Sequence, residues 1–534
     1  MSASGGFTGV TTFCERINLA AFAFLGCLEF RISIFEFGCG QRIGNVLYSI
    51  TLKRRFKSIP ALMVVLCLAA SLGCAVGPDF RPPEMPVPAA WAGPVPLPAV
   101  TPAEKNLARW WTVFEDHRLA SLIEDAVESN LDLKLAEARV RQARAARGIA
   151  QSFLAPTVDA QASFQRSEAP VSSSATAGRL GGSTERVTAD QYVAGFDAAW
   201  ELDIFGGLRR SVEAADADLQ ASVETRRDVL VTLTAEVARN YIDLRAFQER
   251  ISIARQNLDA QKHSAKLTRQ RFEGGFASGL DVANAEAQVA TTAAQIPSLE
   301  VSAQQAIYSL GVLLGREPAA LVPDLAPTLA IPTAPPSAPI GVPSDLLRRR
   351  PDIRQAEAAA HAAAARIGVA KAELFPRFLI TGSVGIRSNE LGSWFDWSSR
   401  LWNFGPSVSW RVFDMGRVRS EIAQREAQEE QSLILFQKTV LTALQEVEDT
   451  LIALDKEQER RKALVEAVVF NRKAVDLSIK LYTEGQTDFL NVLQAQRSLF
   501  VTEEALALST RNLSTNLVAL FKALGGGWDL EEAE

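Results

Sequence analysis

Beyond residue 74 the chain contains no cysteine; all five, Cys14, Cys27, Cys39, Cys67 and Cys74, lie before that point. A disulfide framework and thiolate chemistry are thereby excluded from the body. Histidine is nearly as scarce: His117, His263 and His361 have no His, Cys or paired carboxylates at ligand spacing, so they read as solvated helix-face residues and not as a metal centre. Only Met85 and Met415 follow Cys74, which argues against a methionine pathway for soft metals. Positive charge is not in excess; a net charge of −6 leaves no basic footprint for nucleic acid. No nucleophile–base grouping, metal cluster or phosphate loop stands at recognisable spacing, and no helix follows Gly525-Gly526-Gly527 to receive an anion, so no enzyme and no cofactor are expected.

The absence with the largest structural consequence is that of glycine and proline from 208–273 and from 417–484, runs of 66 and 68 residues. At about 1.5 Å per residue each predicts a helix on the order of 100 Å, a rod that no ordinary globular domain needs. Val229, Leu233, Val237, Tyr241 and Leu244 recur at intervals of three and four, as packed antiparallel helices require. Aromatics are only 8% of the chain, which suits long packed helices better than a thick globular core.

Each rod ends at a glycine turn, RFEGGFASGLDVANAEAQ from Arg271 and LYTEGQTDFLNVLQAQRSLF from Leu481. One offset of 210 residues aligns Gly275 with Gly485, Leu280 with Leu490, Trp200 with Trp410, Gly206 with Gly416 and Gly315 with Gly525. Upstream, Pro156 and Pro376 differ by 220, so the first copy has ten extra residues, expected in a surface loop. An internal duplication follows: a first repeat at 118–317, a linker at 318–343 with eight prolines, a second repeat at 344–524 and a tail at 525–534.

Between the helical parts the pattern changes to period two. Val158, Ala160, Ala162 and Phe164 alternate with Thr157, Asp159, Gln161 and Ser163; Phe196, Ala198, Trp200, Leu202 and Ile204 oppose Asp197, Glu201 and Asp203. The second copy repeats this with Phe378, Ile380, Val384 and Ile386, then Val408, Trp410 and Val412. Four strands with one apolar and one polar face are expected. The loop between the last two carries Trp394, Phe395, Trp397 and Trp402, an aromatic group of the membrane-interface kind.

At the N-terminus, Lys53, Arg54, Arg55 and Lys57 precede an apolar run at 61–70 and then Gly73-Cys74. That is a secretory signal at 52–73, too short to span a bilayer, which takes about 20 apolar residues. Cys74 resembles a lipoprotein cysteine whose acyl (palmitate) chains would anchor the mature protein, and 1–51 is expected to be an over-extended start. From 77 to 102 nine prolines predict an extended tether within a segment 74–117.

Four amphipathic strands cannot close a membrane barrel alone, because open edges in lipid leave backbone groups unpaired. Two copies would supply eight strands and three would supply twelve, the latter leaving a duct between the helices.

The motifs LGCAVGPDFRPP at Leu72, WWTVFED at Trp110, AEARVRQA at Ala136, WELDIFG at Trp200, LLRRRPDIRQAE at Leu346, AELFP at Ala372 and the two glycine turns together resemble the TolC-type outer membrane factors, specifically the OprM/NodT-like efflux lipoproteins. The resemblance implies a homotrimer: a twelve-stranded outer-membrane β-barrel, four strands per protomer, continued by an α-helical periplasmic barrel. It implies a passive exit duct for drugs or other small molecules, lipid-anchored in the outer membrane, partnered by a periplasmic adaptor and an inner-membrane RND-type transporter. A duct for secreted polypeptides or metal ions, and a structural surface rod, are the alternatives. The glycine turns would be periplasmic tips forming an iris-like gate. There Tyr482 matches a family tyrosine and Asp281 a family carboxylate, while Asn491 and Gln494 replace ring carboxylates. Gly275, Gly485 and Asp488 complete the expected tip.

Overall fold

A computed structural model describes residues 75–92, 107–171, 185–333 and 343–528. The expected start 1–51, signal 52–73 and lipidation at Cys74 lie outside the described residues. After a short turn at Trp110–Phe114 come helices α1 (His117–Ser129) and α2 (Leu131–Ser152), then strands β1 (Thr157–Val171) and β2 (Glu185–Leu202). Long helix α3 (Gly207–Glu273) and returning α4 (Gly279–Leu313) follow, with short α5 (Val322–Leu325) and α6 (Asp345–Arg349). The second half runs α7 (Pro351–Ala372), β3 (Arg377–Ser388), β4 (Arg400–Ser409), α8 (Arg417–Thr483) and α9 (Phe489–Ala523).

The two runs without glycine or proline are α3 and α8, 67 residues each. Each starts at a left-handed glycine, Gly206 at φ 80° and Gly416 at φ 87°. An aspartate satisfies backbone donors at each start: Asp203 accepts from the N–H of Leu208 and Arg209, Asp414 from those of Gly416 and Val418. That placement fits the positive end of a helix. The helices after the turns, α4 and α9, have 35 residues each. Every boundary of α8 and α9 lies 210 residues beyond that of α3 and α4 (417 − 207, 489 − 279), and α7 lies 220 beyond α2 (351 − 131).

The strands form one antiparallel sheet in the order β1-β2-β3-β4. Directly opposed residues share a face in such a sheet, so the register decides amphipathicity. Val158 pairs with Ala198, Ala160 with Phe196, Phe196 with Val384, Trp200 with Ile380, and Val384 with Trp402. The apolar sets within the strands thus fall on one side and Asp159, Asp197, Ser383 and Asn403 share the other, whereas Ile204, Trp410 and Val412, expected to continue the pattern, lie beyond the strand ends. Both halves fasten sheet to helix alike: the Trp200 indole donates to the Leu154 carbonyl and Trp410 to that of Leu374, each at 3.0 Å.

The chain departs from the sequence pattern in five further places. The apolar spacing of Leu119, Leu122, Ile123, Ala126, Leu131, Leu133 and Leu135 predicts a helix continuing to Ala150, but the helix breaks at Asn130, whose Oδ1 caps α2 and whose Nδ2 donates to the Leu313 carbonyl. Trp402 stands on β4 rather than in the loop. The ten extra residues of the first copy lie partly in longer strands, since β1 and β2 continue for seven pairs beyond Phe164–Tyr192 while β3 ends opposite Tyr192. His361 is not simply solvated, because its Nε2 meets Glu213 at 3.0 Å and its ring stacks on Phe80 at 4.8 Å. Finally, the proline-rich segments are docked. Val76 donates to the Phe205 carbonyl and Ala92 to Glu448, Arg245 and Gln248 bind carbonyls of 325–327, and Ser514 binds that of Pro332.

The main core forms a belt around the middle of the long helices. Leu119, Leu122 and Ile123 of α1 share one core with Tyr241, Ile242 and Leu244 of α3, Leu310 of α4, Leu325 of α5, Val447 and Leu451 of α8, and Phe521 of α9. Trp110, fully buried, stacks on Phe521 at 5.3 Å. The expected tail begins inside this region: Gly527 donates to the Leu107 carbonyl, and the guanidiniums of Arg227 and Arg354 lie over the Trp528 ring at 4.7 and 5.6 Å. Both arginines also bond the Glu224 carboxylate, at 2.6 and 2.8 Å. Burial raises the Glu224 carboxyl, and burial reinforced by the negative charges of Asp352 and Glu446 raises that of Asp228.

Two stability outcomes follow. Trp110→Ala removes a filled aromatic site and should cost about 3–5 kcal/mol, read as a lowered thermal midpoint of the detergent-solubilised protein. Asp228 holds its proton more tightly folded than unfolded, so its contribution to stability falls as pH climbs through the raised range. Asp228→Asn removes that dependence, and the midpoint of the variant relative to wild type should rise as pH climbs from about 4, the ordinary carboxylate value, towards neutrality. A flat difference would contradict the assignment.

Candidate functional site

The far ends of the two helical hairpins come together at one place. Each long helix ends in the same hydrogen-bonded cap: Gly275 N–H donates to Phe272 and Phe276 N–H to Arg271, while Gly485 N–H donates to Tyr482 and Gln486 N–H to Leu481. This 5→2 and 6→1 pairing needs a left-handed residue, and Gly275 and Gly485 supply it at φ 81° and 77°. A Cβ at Gly275 would meet nothing within 4 Å, so backbone conformation alone demands glycine there.

Tyr482 lies one turn above the second cap and is 5% exposed. Its ring meets Phe489 edge-on at 5.6 Å within a cluster of Ala285, Phe489, Val492 and Leu493. Its hydroxyl reaches the Thr268 Oγ1 of α3 at 3.5 Å. Arg271, in the last turn of α3, places its guanidinium 4.8 Å over the Tyr482 ring and donates from Nη1 to the Thr483 carbonyl at 2.9 Å. One arginine therefore caps the carbonyl end of α8 and covers the tyrosine that ends it. Below, Gln496 donates to the Ser264 hydroxyl at 2.8 Å, in a buried position.

The other predicted tip residues divide. Asp281 forms a reciprocal capping box with Ser278, accepting from its N–H and hydroxyl while the serine oxygen accepts from Asp281 N–H. Asp488 sits at the N-cap of α9 with an exposed, non-capping side chain. Asn491 bonds the Thr487 hydroxyl of its own turn at 2.7 Å, within one helix rather than between tip helices. Gln494 is exposed. The tips are unequal: the second buries Tyr482, Phe489 and Val492, whereas the first exposes Phe272 and Phe276; Leu280 and its counterpart Leu490 are exposed in both. Sequence reasoning missed Arg271 and Thr483 as a link. The only local signal was a cation in the last turn of a rod that had to end beside another.

At the opposite pole the apolar face of the sheet is open. Phe164, Phe196, Val384, Trp402, Phe404 and Val408 are all more than half exposed. Phe164 meets Tyr192 at 4.7 Å and Tyr192 meets Trp394 at 5.7 Å, both with tilted rings, giving an aromatic row across the sheet. Trp397 is 79% exposed, in the turn between β3 and β4. No group of three or more metal-binding side chains occurs among the described residues.

A helical rod with a capped tip and a greasy, unclosed sheet is a transport architecture, and the family model described as "Outer membrane efflux protein" matches residues 122–316 and 342–526. The chain belongs to that family. Nodulation protein T of Rhizobium leguminosarum bv. trifolii is 30% identical over 460 residues, covering 86% of this chain and 95% of the relative. The toluene efflux pump outer membrane protein TtgF of Pseudomonas putida is 34% identical over 478 residues, covering 88% and 97%. The solved structure of the outer-membrane channel OprN superposes with a TM-score of 0.79 at 36% identity, covering 85% of this chain and all of that one. As an outer membrane efflux protein, the chain is an exit duct placed in the outer membrane and reaching into the periplasm.

If the hairpin ends form the closure of the duct, Tyr482→Ala and Arg271→Ala should each raise single-channel conductance in planar bilayers from a small resting value. Because the two side chains share one contact, the double variant should add less than the sum. A wide-open wild type, or variants that conduct like wild type, would remove the gate from this position.

Proposed function

We propose that this protein is the trimeric outer-membrane component of a tripartite RND-type efflux system, a passive channel closed at rest by its hairpin tips. The observation carrying this reading is the sheet: four strands, one apolar face, and unpaired edges at β1 and β4. Lipid provides no donors or acceptors for those edges, so copies must pair β4 of one with β1 of the next. Three copies supply twelve strands, with Asp159, Asp197, Ser383 and Asn403 lining a wet lumen. The two repeats act as near-equivalent sectors of the helical barrel. The Cys74 lipid adds an anchor to the same membrane. Trp394, Trp397 and Trp402 lie at the outer membrane interface, while Phe276 and Leu280 offer an apolar tip to the periplasmic adaptor that joins the duct to its inner-membrane transporter.

The repeat itself supports the count and supplies a test. Helix α7 is buried between α3 and α8, and a Cβ on its Gly368 would lie 2.8 Å from Arg210 of α3. Its counterpart α2 packs chiefly on α3, and a Cβ on Gly148 would meet nothing within 4 Å. Shifting Gly368 back by 220 and Arg210 forward by 210 gives Gly148 against Ser420, which must then belong to a neighbouring copy. Gly148→Cys with Ser420→Cys should cross-link under oxidation into a band of three chains on denaturing gels, and neither single variant should. Cross-linked dimers that never reach trimers would overturn the count. Deleting the protein should sensitise cells to exported drugs; unchanged susceptibility across a broad panel would count against a drug duct.

A further inference from the structure

Two cations of the sheet, Arg387 and Arg400, have no acidic partner among the described residues, and of the two only Arg400 stands on the apolar face. Above the aromatic row, the β1–β2 ribbon carries Arg166 paired with Asp190 and Arg186 with Glu168. Arg400 pairs across strands with Ile386, and the register places both on the apolar face with Val384, Trp402 and Phe404. It forms no ion pair among the described residues; even Glu390 and Asp396 of the adjoining turn make none with it. Its guanidinium instead lies 3.9 Å from the centroid of the Trp397 ring.

The position along the strand matters. Tyr192, in the aromatic row, pairs with Ser388, and Ile386 lies two residues nearer the helices, so Arg400 enters the apolar face about 7 Å inside that row. The long helices leave the other end of the sheet, so this is the pole remote from the tip. An arginine near a membrane interface bears a modest cost, which falls when its head reaches polar groups. Here Trp397 covers one guanidinium face, and the edge keeps donors in a planar fork that suits phosphate oxygens. Exposed Trp402 and Phe404 continue the same face toward the membrane interior, where acyl chains would lie.

We propose that Arg400, with Trp397 and Trp402, binds the phosphate of an outer-leaflet lipid headgroup, the guanidinium accepting the charge and the aromatic face seating the first acyl carbons. The proposal rests on the outer-membrane barrel reading above.

The test uses native mass spectrometry of the full detergent-solubilised assembly titrated with bis-phosphorylated lipid A, with inorganic phosphate as competitor. Wild type should bind this lipid about tenfold more tightly than Arg400→Gln, the expected loss for a charge-assisted pair. Trp397→Ala should weaken binding and Arg400→Lys should retain part of it. Inorganic phosphate, lacking acyl chains, should not displace the lipid. Equal affinity in wild type and Arg400→Gln overturns the site, and displacement by phosphate shows a soluble-anion site instead. An assembly that carries no lipid in any form would instead refute the membrane-spanning sheet.

Discussion

The constraint on which the rest of this architecture depends is that a β-strand in lipid cannot leave its edge groups unbonded. A single chain supplies four strands and two bare edges, so its membrane part is complete only in company. That requirement propagates along the rods. In the proposed barrel, strands that pair between chains would bring their helices into a ring, with Gly206 and Gly416 turning the chain abruptly from sheet to helix. The tryptophan bonds from Trp200 and Trp410 to the preceding helix ends brace that junction identically in both halves.

At the far end, the same ring turns a local contact into a shared one. Arg271 joins two helices through the Thr483 carbonyl and the Tyr482 ring, and threefold repetition would set three such links around one axis. The asymmetry between the tips then has a physical meaning. The second hairpin buries Tyr482 and Phe489 against its neighbours, while in the proposed assembly the first would offer exposed Phe276 to a periplasmic partner. Asp281, bound in its capping box, stiffens that first hairpin before it contributes any field.

Much of this was legible from residue order. The rods could be read because a run without glycine or proline has few alternatives to helix, and the strands because period two and period 3.6 differ plainly in WELDIFG and its counterpart. The glycine caps were legible because a left-handed turn has few chemistries. What escaped was contact between distant segments. Nothing near Arg271 announces Thr483, 212 positions away. The break at Asn130 was hidden because its apolar flanks keep helical spacing, and the decisive interaction is with the Leu313 carbonyl. Prolines at 78–88 and 318–333 excluded helix over most of that length but not docking, since an extended chain can lie in a groove as readily as hang free.

The unequal hairpins of the sheet bear on how the cell's surroundings meet this protein. Seven extra pairs make the β1–β2 ribbon about 23 Å taller than its partner hairpin, and its rungs carry charged pairs. Repeated three times, such ribbons would give the rim the outline of a battlement, with tall merlons alternating with low gaps. Antibodies and phage fibres, being bulky, would touch the merlons first. The low turns between them, which carry the aromatic seating, would be screened from such large bodies.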